Sequence, residues 1–197
     1  MMKNCTTRYF CRIFGACTAG MRFALKFKTM RECYGALLKG EAGDKSAEWA
    51  IWTVTQEGVM SDRELRLFAV RCARSVQHLM KDQSSIGALD VAERYANGEA
   101  SKHELLDAAR AADVAARAAA HDGYVAAWDA YFAAYSAACS ARYVVRDTYF
   151  AADAAADAAA WGAYSTADVA ARAAARAAER RKQLKILAEF GNPFAED

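Results

Sequence analysis

Alanine is the feature that most constrains what this chain can fold into. Between residues 108 and 178 about half of all positions are alanine, which has the highest helix propensity of any residue and buries little area. The chain has a single proline, Pro193, and almost no run of β-branched residues. These features predict an all-α protein in which small side chains let helices approach closely and aromatic side chains fill the remaining space.

Capping signals predict where the helices begin. In a capping box a hydroxyl residue is followed three positions later by a glutamate, and each side chain bonds to the backbone of the other. Three segments have this spacing: Thr29–Glu32, Ser61–Glu64 and Ser101–Glu104. Gly162 and Ser165 predict one helix end and the next start in the alanine-rich half. We therefore expect a multi-helix bundle of about seven helices, with a long alanine-rich antiparallel helical hairpin from Lys102 to Phe190.

The first 28 residues differ from the rest of the chain. They contain no acid, and their basic residues are Lys3, Arg8, Arg12, Arg22, Lys26 and Lys28. We expect residues 1–28 to be a basic, loosely ordered extension, and residues 29–197 to form a single helical domain. Arg12 interrupts the apolar run that a secretory signal needs.

Cysteine use and hydropathy bear on the compartment. The six cysteines form no C-x-x-C pair, which favours a reducing compartment. No segment offers about 18 uninterrupted apolar residues, so we expect no transmembrane helix. The sequence thus predicts a cytoplasmic protein without a membrane partner.

Charge argues only weakly for nucleic acid. The net charge is +2 and the isoelectric point is about 8.2, both too mild to indicate a nucleic-acid or membrane partner. The last helix carries Arg172, Arg176 and Arg180 at four-residue spacing, a stripe that could follow phosphates or form a solvated outer face. No base-reading residues accompany this stripe, so nucleic-acid binding is the weaker alternative.

Enzyme signatures are absent from the sequence. It has no glycine-rich phosphate loop, no G-x-S-x-G and no H-E-x-x-H. Its histidines, His78, His103 and His121, are far apart, and the Glu-x-x-His pattern of a di-metal bundle does not occur. We therefore predict a protein that is not an enzyme and has no catalytic residue, metal or cofactor.

Acidic and basic side chains of the alanine-rich half form the candidate binding site. Asp153 and Asp157 lie four residues apart and share a helix face, which is unfavourable unless a cation compensates. Arg142 and Arg146 lie about two to three turns earlier on a nearby stripe, which favours a charge-compensated seam between helices. A cation or polar-ligand site is the alternative. The candidate binding residues are Arg142, Arg146, Asp153, Asp157, Trp161, Tyr164, Arg172 and Arg176. If the acidic and basic side chains pair with each other, this part of the alanine-rich half is structural scaffold. If they face a cleft, it is the binding surface.

Four segments together resemble a known protein family. They are SDRELRLFAVRCARSVQHLM (residues 61–80), ALDVAERYANGEAS (88–101), the alanine-rich tract with its Arg, Asp and Tyr residues, and LAEFGNPF (187–194). These segments are similar to an alanine-rich helical family of mostly uncharacterised bacterial and phage proteins, some described as candidate immunity proteins. The resemblance covers residues 29–194. It implies a cytoplasmic helical protein that binds and neutralises something, and it assigns no catalytic residue.

Two classes of function follow from these observations. The first is a non-enzymatic inhibitor that neutralises a protein partner, such as a bacterial toxin or a defence factor, in an immunity-like or phage counter-defence role. The alternative is a sponge that sequesters a small anionic ligand, such as a signalling nucleotide, with Arg142, Arg146 or Arg172 beside stacked aromatic rings. Alanine-faced helices would also suit a homodimer.

Overall fold

Every regular element of the described chain is helical. The computed structural model describes residues 5–80, 82–121, 132, 135, 136, 145–162 and 169–195. Two short 3-10 turns cover residues 43–45 and 77–79. The α-helices are α1 (Thr7–Ile13), α2 (Thr18–Ala24), α3 (Met30–Leu38), α4 (Ser46–Val54), α5 (Asp62–Ser75), α6 (Gln83–Ala96), α7 (Lys102–His121), α8 (Val145–Gly162) and α9 (Val169–Glu189). The predicted all-α multi-helix class is confirmed, and none of these helices is both long and apolar enough to cross a membrane.

The chain divides into two compact units. Met1–Ser61 and Leu184–Asp197 form the first, and Asp62–Gln183 forms the second. This differs from the predicted division into an extension and a single domain. Within residues 5–28, α1 and α2 are ordered helices, and Phe10 of α1 has no exposed surface. The apolar face of α1 makes this segment part of a core, a contribution that its high basic content conceals in the sequence.

Aromatic rings fill the core of the first unit. The ring of Phe10 lies 5.9 Å from that of Trp52 and 5.7 Å from that of Phe194, each in an edge-to-face arrangement. Phe194 also meets Tyr34, at 6.0 Å. Such pairs stabilise a core beyond the area that they bury.

The end of the chain is attached to α3 by hydrogen bonds as well as by these rings. Asn192 donates its amide to the Arg31 carbonyl at 2.9 Å, and the Arg31 guanidinium donates to the Phe194 carbonyl at 3.3 Å. Phe194 is 1% exposed. The sequence predicts that Phe190 and Phe194 dock on the bundle, and the position of Phe194 agrees with that expectation.

The helix starts follow the capping signals closely. In α3 the Thr29 hydroxyl accepts from the Glu32 amide, and the Glu32 carboxylate accepts from the Thr29 amide. Ser101 and Glu104 make the same reciprocal pair at the start of α7, and the α5 helix begins directly after Ser61. The structure thus confirms the first and third predicted capping boxes and places the α5 start where the second predicts it.

Small residues form the core of the second unit. The α5 helix packs against α6 and α8, and α6 packs against α7. On α8 the alanines at 151, 152, 154, 155, 156 and 158 are all buried. This is the close packing that the alanine content predicts. The sequence also predicts an aromatic stripe from Tyr124 to Tyr135 and a bend near residues 121–123. These features, like the predicted helix start at Ser165, fall largely or wholly outside the described residues.

Candidate functional site

The predicted acidic and basic side chains meet each other between α8 and α9. Arg176 of α9 approaches Asp153 of α8, with 2.8 Å between Nη2 and Oδ1, and its Nη1 contacts the carboxylate of Asp157. One guanidinium therefore compensates both carboxylates, whose side chains are only 32% and 24% exposed. This is the charge-compensated seam, formed by arginines of α9.

Two further residues of α9 extend this seam. Arg180, whose side chain is 12% exposed, also contacts Asp153 and donates to the Gln183 amide oxygen at 2.9 Å. Gln183 is fully buried and donates to the backbone carbonyl of Ala152 at 2.6 Å. We define the α8–α9 seam as Asp153, Asp157, Arg176, Arg180 and Gln183.

Two other candidate residues also meet. The Arg172 guanidinium lies 5.3 Å from the ring centroid of Trp161, within the range of a cation–π contact. Arg142 and Tyr164 lie outside the described residues, as does the side chain of Arg146. The structure thus brings Asp153 and Asp157 together with Arg176, and Trp161 together with Arg172. The ligand-binding role of the eight candidates stays a prediction.

Sequence reasoning missed the buried polar residues of α9. Glu179 is 1% exposed and Gln183 is fully buried, although both are polar. The available signal was their spacing, because Glu179, Gln183 and the buried Leu187 follow each other at intervals of four and share one helix face.

Burial of Cys72 raises the pKa of its thiol, and the Glu179 carboxyl raises it further, whereas Arg180 lowers it.

A different surface is exposed on α1. Phe10 and Cys11 point inward, whereas Arg8, Tyr9, Arg12 and Ile13 are exposed on the other side of the helix. Tyr9 is 57% exposed and Ile13 is 51% exposed. A hollow of about 560 Å³ lies at these four side chains and Thr6. We call Arg8, Tyr9, Arg12 and Ile13 the α1 surface.

The charge around the α1 surface has one sign. Residues 5–31 contain no acid, and their basic residues are Arg8, Arg12, Arg22, Lys26, Lys28 and Arg31. A second hollow in the same unit, of about 670 Å³, is also bordered by basic side chains, including Lys26, Lys28 and Lys39, with Glu32 and Glu41 beside them. The first unit therefore presents basic and apolar groups together.

The comparisons with known proteins returned no relatives. A scan of protein-family models, a search of curated proteins and a search of solved structures each found no match to the chain. Within the described residues, no group of three or more His, Cys, Asp or Glu side chains is placed to hold a metal ion. The α8–α9 seam, the α1 surface and the cavities of each unit are the features of the described residues that bear on function.

Proposed function

We propose that the protein is a non-enzymatic binding protein that neutralises a protein partner, and that it engages this partner through the α1 surface. The observation that carries the proposal is the exposure of Tyr9 and Ile13 beside Arg8 and Arg12, which line the same hollow. Tyrosine and arginine are enriched among the residues that dominate protein interfaces, because they combine apolar area with hydrogen-bond donors. The family resemblance of residues 29–194 supports the neutralising role.

Charge defines the chemistry of the partner. An interface built on the α1 surface places the guanidinium groups of Arg8 and Arg12 against the partner, within a stretch that has no acid from residue 5 to residue 31. Buried guanidinium groups need carboxylates opposite them. The partner is therefore a protein with an acidic patch around an apolar centre.

The α8–α9 seam contributes to this proposal as scaffold. Asp153, Asp157 and Arg176 satisfy one another within the chain, so using them to bind a ligand would first require breaking these ion pairs. The alternative function, a sponge for a small anionic ligand, is favoured by a single observation, the stacking of Arg172 on Trp161. Arginine over an aromatic ring is a suitable platform for a nucleotide base or phosphate.

Affinity capture from the host lysate tests the proposal. The tagged protein is compared with a Tyr9→Ser/Ile13→Ser variant, and with Val114→Ser, which changes a 67% exposed apolar residue of α7. We expect the wild type and Val114→Ser to retain one stoichiometric acidic protein that the double variant loses, with weaker retention at high salt. Co-expression of the captured protein with the wild type, but not with the double variant, should relieve the growth defect that the captured protein causes.

Three outcomes would contradict the proposal. Equal capture by the double variant would exclude the α1 surface, and loss of capture on nuclease digestion would indicate nucleic acid. Failure to capture a protein, together with a rise of several degrees in Tm on adding nucleotides that Arg172→Gln removes, would favour the sponge. Circular dichroism and the unfolding midpoint of each variant establish that it is folded.

A further inference from the structure

Another cavity lies within the second unit. Its volume is about 290 Å³, and it is formed by the end of α5 with the 77–79 turn, α8 and α9. Five of its lining residues are apolar: Val76, Leu79, Ala159, Ala175 and Ala178. The polar ones are Ser75, His78, Glu179 and Lys182. The volume is close to the lower end of the range for small-molecule sites, which are also mostly apolar with a few polar groups.

Glu179 is the buried polar group of this cavity. It is 1% exposed, and its Oε2 accepts no hydrogen bond from the described residues. Its Oε1 contacts the Ser75 hydroxyl, whose oxygen also lies 2.6 Å from the Cys72 carbonyl. A serine hydroxyl has one proton, so it cannot donate fully to both acceptors. The carboxyl group therefore has too few hydrogen-bond donors around it, and a buried acceptor without a hydrogen bond costs free energy.

Lys182 satisfies this carboxyl only in part. Its Nζ lies 3.0 Å from Oε2 of Glu179, close enough for an ion pair but without the angles of a hydrogen bond. The Lys182 side chain is 58% exposed, so it can turn toward water at little cost. The position beside Oε2 can therefore be taken by another cation.

We propose that this cavity binds the ammonium group of a small primary amine, with Glu179 as its anchor. An ammonium group has three N–H donors. One bonds to Oε2 of Glu179, and a second is donated to the Ser75 oxygen, whose own hydroxyl donates to the Cys72 carbonyl. The alkyl part of the amine lies against the alanines of α8 and α9 and against Val76 and Leu79. Bound amine replaces Lys182 as the cationic neighbour of Glu179.

Titration of the full-length protein with n-butylammonium, followed by ligand-observed NMR, tests this site. We expect saturable binding that Glu179→Gln weakens at least about tenfold, because a hydrogen bond to a charged group is lost. Glu189→Gln, which changes an exposed glutamate of the same helix, should leave the affinity unchanged. Lys182→Met removes the competing ammonium and should tighten binding about twofold to fivefold, whereas Lys185→Met should have no effect.

Several results would overturn the proposal. They are equal binding of n-butanol, which has no charge, equal binding of tetramethylammonium, which has no N–H donor, and unchanged affinity in Glu179→Gln. Weaker binding in Lys182→Met would show that Lys182 belongs to the site and does not compete for it. Circular dichroism reports whether Glu179→Gln is folded. If it is not, the tighter binding expected of Lys182→Met and the unchanged binding expected of Lys185→Met still decide the question.

Discussion

Asp153 is the residue on which the α8–α9 seam depends, because it contacts both Arg176 and Arg180. Replacing it with alanine leaves Arg180 with no carboxylate partner in the seam at a site where its side chain is only 12% exposed. A partly buried charge that loses its partner costs about 1–3 kcal/mol of unfolding free energy. We therefore expect Asp153→Ala to destabilise the protein by about that amount, measured by urea denaturation.

The matched control at this scale is Asp107→Ala. Asp107 of α7 pairs with Arg110 at 3.0 Å, but both side chains are well exposed, and exposed pairs contribute about 0–1 kcal/mol. Equal losses in the two variants would show that the seam carries no more stability than a surface ion pair. The sequence predicts that Asp153 and Asp157 need cations, and it offers arginines both on the stripe before them and on the last helix. The contacts of Arg176 and Arg180 depend on how α8 and α9 pack, which local spacing does not determine.

At the scale of the element, the close packing of α8 depends on the small size of its alanine side chains. Ala155 has no exposed surface, and a larger side chain there would push α8 away from its neighbours. Overpacking of this kind typically costs about 1–3 kcal/mol. We expect Ala155→Leu to lower the unfolding free energy by that amount or more, and Ala174→Leu, at an exposed position of α9, to change it by less than about 0.5 kcal/mol. Thermal unfolding of both variants provides the measurement.

A stable Ala155→Leu variant would mean that α8 does not require its small residues.

Helix starts with a capping box are the most predictable part of the fold. Thr29, Glu32 and Ser101 act through local backbone geometry, so their roles can be read from spacing alone. The start of α6 is less predictable. The sequence pattern indicates a helix from about Ser85, whereas α6 begins at Gln83, and its cap is Asp82, which accepts from the Ser85 amide at 2.7 Å.

At the scale of the whole molecule, the sequence predicts the all-α class but not the division into units. Alanine content and one proline suffice for the class. The division depends on long-range contacts, such as the meeting of Phe10 with Phe194, and no local pattern encodes these. The same limit applies to the sites. The exposure of Tyr9 and Ile13 and the burial of Glu179 are properties of packing, and a sequence shows only that these residues exist.

A substitution at Phe194 tests the division of the chain into two units directly. It is 1% exposed and contacts Phe10 and Tyr34, all within the first unit. Replacing a buried phenylalanine with alanine costs about 3–5 kcal/mol. We expect Phe194→Ala to lose amide protection against hydrogen exchange in α1, α3 and α4, while α5, α6 and α7 of the second unit keep theirs. Leu25→Ala, at a 45% exposed position of the first unit, should change little. A uniform loss of protection across both units would contradict their independence, because it would mean that the contacts of Phe194 stabilise the whole chain as one cooperative structure.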